Sequence, residues 1–304
     1  MRILLTGGAG FIGSHIAEMY LESGHDVLIV DDLSTGKRRH LPGGAEFVQA
    51  DIRDTDLDQV FQRFQPEVVN HHAAQASVKL SSGDPVADLS VNGGGTAWIS
   101  TLAVKHGVGK LVYAASGGTV YGDPQRLPVD ESHPLGPISP YGTSKFVGEE
   151  YVRLAHRTGG IDFTILRYGN IYGPRQDPQG EAGVVAIFTG KMLSGKQCTI
   201  DGDGEQKKDY IYVGDVARAN VLALDSGPGV TCNIGTGKGL SVNKIFNTLS
   251  EATSNEIEPR YGPSRPGDIR NSWLDSKLAG MALGWRPQTT FSQGASLTIS
   301  ALRD

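Results

Sequence analysis

The chain has 304 residues, enough to bury a substantial core as one or two domains, and no 18-residue apolar run or leader-like segment appears in it. Its 28 basic and 33 acidic residues give a formal net charge of −5, and no basic run marks a nucleic-acid or anionic-membrane surface. Cys198 and Cys232 alone exclude a disulfide framework or a metal cluster of recognisable spacing; they are expected as buried free thiols, which fits a reducing cytoplasm.

In chain order, residues 2–6 read as a buried strand, and Gly7-Gly-Ala-Gly10-Phe-Ile-Gly13 follows at once. Ile12, Ile16, Tyr20 and Leu21 then recur near helical spacing. A glycine-rich turn between strand and helix lets the backbone approach a pyrophosphate, whose charge the helix N-terminus stabilises. The next strand, 26–30, ends in Asp31, 18 residues past Gly13. An acid there hydrogen-bonds an adenosine ribose diol and repels a 2′-phosphate, so NAD is expected rather than NADP. Further strands are expected at 46–49, 67–71, 110–115 and 162–167, with segments between them long enough for crossover helices. That alternation predicts an α/β fold: a doubly wound, Rossmann-like parallel sheet with helices on both faces.

Tyr141-Gly-Thr-Ser-Lys145 places a phenol and an ammonium one helical turn apart on one face. A free tyrosine, with a pKa of about 10, is a poor base near neutrality. A neighbouring cation favours the phenolate, so Lys145 is expected to depress the Tyr141 pKa. Past residue 172 the alternation loosens: 201–209 reads as a turn and loop, a strand at 231–235 returns to the main sheet, and the tail reads as a loop-rich lobe. The expected division is 1–172 with 208–235 as an NAD-binding domain, and 173–207 with 236–304 as a smaller substrate-binding lobe capping the crevice.

With these motifs the chain resembles the extended short-chain dehydrogenase/reductase family, and within it the UDP-glucose (UDP-galactose) 4-epimerases. The landmarks run from Thr6-Gly-Gly-Ala-Gly-Phe-Ile-Gly13 through Asp31-Asp-Leu-Ser-Thr-Gly36, Asp51-Ile52 and His71-His-Ala-Ala-Gln75 to Asn92 and Tyr121-Gly122. Tyr141 to Lys145, Arg167-Tyr-Gly-Asn170, Asp209-Tyr210 and Arg265-Pro-Gly-Asp268 complete them. The resemblance implies that Gly7, Gly10, Phe11, Ile12 and Gly13 bind the pyrophosphate of NAD. Asp31, Leu33, Ser34, Thr35 and Gly36 would surround the adenosine, and Asp51 and Ile52 would flank the adenine. Ala73, Ala74 and Gln75 would line the middle of the cofactor, with Tyr168 beside the nicotinamide. Tyr141 would be the base, and Lys145 would also hold the nicotinamide ribose. Asn170, Arg265 and Asp268 would bind the UDP part of a UDP-sugar. The implied activity is inversion at C4 through a transient 4-keto intermediate on tightly held NAD, in galactose metabolism, by a cytoplasmic homodimer joined through helices around 84–106 and 141–158.

Several departures bear on that implication. The family places Ser or Thr three residues before the Val of Val-Tyr-Gly, and here Gly117 stands there, leaving Ser116 or Thr119 to supply the hydroxyl. Dehydratases resembling the family carry Asp-Glu where Gly118 and Thr119 stand, so dehydration lacks its acid and base. Lys208 replaces an Arg that grips the diphosphate, giving charge without a bidentate fork; Lys207 is a candidate to share the role. Asn92-Gly-Gly-Gly95 falls in an expected helix, where the glycines permit a close approach that turns Asn92 to the active site, or else fray the helix. Ser272, four residues past Asp268, is expected to wall the pocket beside the sugar 2-substituent and to leave room for an N-acetyl group. The alternatives are a UDP-glucuronate 4-epimerase or another sugar-nucleotide modifier, and a silent NAD-binding protein. No metal, nucleic acid or membrane is implied.

Overall fold

The computed structural model of the chain describes residues 1–178, 183–264 and 269–303. It opens with β1 (Arg2–Thr6), α1 (Phe11–Glu22), β2 (Asp26–Asp31), β3 (Glu46–Gln49), α2 (Leu57–Phe64) and β4 (Val68–His71). α3 (Val78–Gly83), α4 (Pro85–Leu89), a π-helical turn (Ser90–Gly94) and α5 (Gly95–Lys105) lead to β5 (Lys110–Ser116). α6 (Pro140–Gly159), β6 (Asp162–Tyr168), β7 (Asn170–Tyr172), α7 (Val184–Leu193), β8 (Thr199–Asp201) and β9 (Lys207–Tyr212) follow. α8 (Val213–Asp225), β10 (Val230–Ile234), β11 (Gly239–Ser241), α9 (Val242–Thr253), β12 (Arg260–Gly262), β13 (Asn271–Ser272), α10 (Lys277–Leu283) and α11 (Phe291–Arg303) complete it.

Seven strands form a parallel sheet in the order β10-β6-β5-β4-β1-β2-β3. A parallel sheet is covered on both faces, which explains why β1 and β2 read as continuous apolar runs instead of alternating. One face packs on α1, α8 and α10 through Ile3, Leu5, Tyr20, Leu166 and Trp285. The other packs on α2, α5 and α6 through Leu4, Phe61, Ile99, Val152 and Ile165. The chain reverses its winding between β1 and β4, and this switch point opens a crevice beyond the carboxyl ends of the strands.

The second lobe differs from the sequence expectation in three ways. β7 pairs with β9, and β9 also pairs with β11 and β13, so residues 170–172 and 207–212 join the smaller sheet. The supposed loop at 201–209 holds the end of β8 and the start of β9. The tail is largely helical: α9 and α11 pack against α7 through Phe188, Phe246, Leu249, Ala295 and Ile299, while α10 sits on the main sheet. Polar residues between the apolar positions of α11 hid its periodicity.

A buried ion pair fixes α6 to β6. Arg167 Nε and Nη2 donate to the two Glu149 oxygens at 2.8 and 2.6 Å, and both residues are almost fully buried. Arg167 Nη1 donates to the Tyr121 hydroxyl (2.9 Å), which donates to Asn233 Oδ1 of β10 (2.7 Å). Breaking such a pair strands a buried charge. Glu149→Gln is therefore expected to lower unfolding free energy by about 3–5 kcal/mol in urea titration, whereas Arg63→Ala, which breaks an exposed pair with Glu46, should change it by less than about 1 kcal/mol.

Candidate active site

Ser139 caps α6 by accepting the Gly142 N–H at 3.1 Å, and Pro140 occupies the first helical turn. Tyr141 thus lies at the positive end of the helix dipole, where a phenolate is favoured. Tyr141, Lys145 and Glu149 follow at one-turn intervals along one face. A β-carbon at Gly148 would lie 2.1 Å from the Tyr113 hydroxyl, so α6 presses directly onto β5.

Ser116, at the end of β5, is the side chain whose hydrogen bonding favours the phenolate of Tyr141. The Tyr141 N–H donates to Ser81 Oγ (3.1 Å) and its carbonyl accepts from Ser144 Oγ (3.1 Å). Close protein packing pushes the phenol up to about 12; the Ser116 hydrogen bond opposes this, and the Asp88 carboxylate adds to it. The expected depression by Lys145 is therefore corrected. The Lys145 ammonium, 3% exposed, sits 4.4 Å from the centre of the Tyr113 ring, and burial lowers its own pKa to about 8 against the pull of Glu149 and Asp88. Its charge is felt instead by His71 and His72, both held neutral chiefly by burial and then by Lys145, with His72 lowered to about 3.

Of the two hydroxyls offered for the Gly117 departure, Ser116 is the one that lowers the Tyr141 pKa by hydrogen bonding. The Thr119 hydroxyl is buried without a partner among the described residues, and the residue lies against Gly142. A side chain at Gly117 itself would require the Leu274 methyls to move aside.

The glycine turn fits a dinucleotide. A β-carbon at Gly13 would meet Gly7 O at 2.2 Å, and one at Gly7, whose φ is +72°, would meet Ala73 N at 2.7 Å. α1 has no side-chain cap, so the first N–H groups, at Phe11, Ile12 and Gly13, remain for an anion just after Gly10. Asp31, at the end of β2, accepts the Ala9 and Leu33 N–H groups at 3.0 and 2.9 Å, and burial raises its pKa. Gly36 lies against it, while Ser34 folds onto Asp32 and Thr35 is exposed. Asp51 is held low by hydrogen bonds from Arg53, and Ile52 packs against Gly95. Ala73 and Ala74 are partly buried beside the turn, and Ala73 N donates to Thr6 Oγ1 (3.1 Å).

Other expectations shift. Asn92 is 1% exposed in the π-helical turn, and its side chain is held by protein partners. Its amide accepts the Gln75 N–H (2.9 Å) and donates to Gln75 O, Asp88 Oδ1 and Ser144 Oγ. The Gln75 side chain is likewise spent on Ser77 and Asp88. Tyr168 turns its hydroxyl inward to His72 (3.0 Å) and Asn220 (2.9 Å), leaving only its ring near the crevice. Asn170 is exposed at the start of β7. Lys208 Nζ donates to the Ile269 carbonyl, while Lys207 is exposed. Ser272 is buried in β13 opposite Lys208. Arg265 and Asp268 lie outside the described residues.

Sequence reasoning passed over Asp88, Ser81 and Glu149. The last had a legible signal, standing one turn beyond Lys145; the other two are assembled only by packing of α3 and α4 on α6.

Residues 3–235 match the NAD dependent epimerase/dehydratase family. The chain belongs to that family. It is 47% identical over 302 residues to a putative UDP-glucose 4-epimerase of Methanocaldococcus jannaschii, covering 99% of this chain and 98% of that one. It superposes with a TM-score of 0.98 on a UDP-glucose 4-epimerase of Thermotoga maritima solved with UDP-glucose, at 45% identity, over 100% and 99% of the two chains. A Thermus thermophilus UDP-glucose 4-epimerase solved with NAD gives 0.94 and 44%, over 100% and 99% of the two chains.

The neutral His72 sets a pH expectation. Its folded pKa, about 3, lies below the ordinary value of 6.5, so between these pH values the unfolded chain binds more protons. Stability should rise as pH rises through that window and fall on acidification. His72→Phe removes this contribution, so its loss of stability on acidification through that window in urea titrations should be smaller than that of the wild type; parallel losses would contradict the assignment.

Proposed function

We propose that the chain is an NAD-dependent UDP-hexose 4-epimerase acting on UDP-glucose and UDP-galactose. One observation carries the reading: the glycine turn after β1 is built for a dinucleotide, and Ser116, which favours the phenolate of Tyr141, ends β5 at the same carboxyl edge of the sheet. In this reading Tyr141 takes the proton of the sugar 4-hydroxyl, the Ser116 hydroxyl orients that oxygen, and Lys145 adds positive charge beside the cofactor ribose. NAD held by the glycine turn and Asp31 would supply a reversible hydride acceptor for C4, so the same cofactor could serve every turnover. The resulting 4-keto sugar turns about its phosphate linkage, and the proton held on Tyr141 returns to the alkoxide. No carboxylate stands at 118 or 119 to remove a C5 proton, which supports epimerisation over dehydration.

Asn170, Lys208, Arg265, Asp268 and Ser272 are proposed to bind the UDP-sugar. Ser272 is the smallest hydroxyl side chain available for a pocket wall, which supports turnover of the N-acetylated pair as well. With purified protein and no added NAD, NMR should show UDP-glucose becoming UDP-galactose, and UDP-GlcNAc should also be converted. Tyr141→Phe should lower kcat by about 10²–10⁴. If the wild type converts neither nucleotide even with NAD added, the epimerase reading fails; if it converts UDP-glucose alone, the Ser272 argument fails.

We also propose a homodimer through α4 and α6, where Val86, Leu89, Tyr151 and Leu154 are exposed at 77%, 47%, 40% and 41%. Sedimentation should give twice the 32.3 kDa chain mass, and Leu154→Glu should shift the protein to monomer. A monomeric wild type would sink this proposal.

A further inference from the structure

The turn after β5 is shaped by a side chain from the second lobe. A β-carbon at Gly117 would come within 2.7 and 3.2 Å of the Leu274 methyls and 3.1 Å of Arg167 O, whereas one at Gly118 would meet nothing within 4 Å. A side chain at 117 thus requires the Leu274 methyls to move aside.

Leu274 is firmly held. It lies just past β13, is 1% exposed, and donates its N–H to Asp209 Oδ2 at 3.1 Å. On either side, Val129 N donates to Trp273 O (2.8 Å) and Asp275 N to Val129 O (2.7 Å). Its side chain joins Val120, Tyr121 and Val129 in a small separate core above the turn. Asp209 also accepts from Thr236 and Gly237, so this anchor is rigid on the second-lobe side. The turn is fixed beneath it: Gly117 N donates to Tyr168 O (2.9 Å) and Val120 N to Ser116 O (3.1 Å).

We propose that Leu274 is a positioning residue for the reaction: by filling the space a side chain at 117 would need, it holds the 116–119 turn so that Ser116, and not residue 117, serves Tyr141. The proposal rests on the reading of Tyr141 as the base. Gly117 and Leu274 then form one steric pair across the lobes, and the pair can be exchanged: a hydroxyl at 117 becomes usable when Leu274 is shortened.

The test is Gly117→Ser, Leu274→Ala and the double variant, each with and without Ser116→Ala, read by kcat and KM for UDP-glucose, the pH dependence of kcat and Tm. Loss of one aligned hydrogen bond to the base is expected to cost about tenfold in kcat. Leu274→Ala should lower kcat by that amount, move the acidic limb of its profile, where the Tyr141 base ionises, to higher pH and leave KM within about twofold. Gly117→Ser alone should lower Tm by overpacking, and Leu274→Ala added to it should recover both Tm and kcat. Ser116→Ala should cost about tenfold in the wild type and less than about threefold in the double variant. Equal costs of Ser116→Ala in the two backgrounds, or an unchanged pH profile in Leu274→Ala, would overturn the proposal. A wild type that does not epimerise removes the reading of Tyr141 and the positioning role with it, while Tm coupling between 117 and 274 would still report the steric pair. Turnover with no such coupling indicts Leu274 alone.

Discussion

The buried Glu149–Arg167 pair is the constraint on which the site depends. Glu149 is the third member of a row, Tyr141–Lys145–Glu149, and its two oxygens are fixed by a guanidinium at the end of β6. The same guanidinium reaches Tyr121 beyond the catalytic turn, and through it Asn233 of β10. The helix bearing Tyr141, the turn after β5 and the strands β6 and β10 are thereby set relative to one another by one side chain. Glu149 also supports the charge of Lys145 against the burial that lowers it.

Around that anchor the polar groups divide their work. Asp88 and Asn92 hold the segment after β4, so that residues 72–75 run against the glycine turn. Two neutral imidazoles, His71 at the end of β4 and His72 at the start of this segment, are held neutral in part by the charge of the Lys145 ammonium. The second lobe enters through Asp209 and Leu274, which tie β9 and β13 to the turn above the main sheet. A sugar nucleotide bridging the two lobes would meet the base between elements that are each held by buried contacts.

Much of this was legible in the sequence because it is local. Gly7 to Gly13 followed by Asp31 reported a turn, a helix start and a strand end within one unit, and the apolar runs of β1 to β6 reported a sheet buried on both faces. The departure at Gly117 was visible, but its cause was not, since Leu274 lies far along the chain and meets it only through the packing of the lobes. Lys145 misled because spacing along a helix gives neighbourhood, while the direction of a long side chain is set by what it finds, here the Tyr113 ring. The smaller sheet was missed in part because β7 and β13 are three and two residues long, too short to show a period.

Central to the proposed reaction is a bound NAD that would keep the hydride it receives from C4. Turnover of UDP-[4-²H]glucose in ordinary water tests this most directly. The expected product is UDP-galactose that retains deuterium at C4, with none lost to solvent. Protium at C4 of the product would mean that the hydrogen passes through a solvent-exchangeable position, and would contradict it.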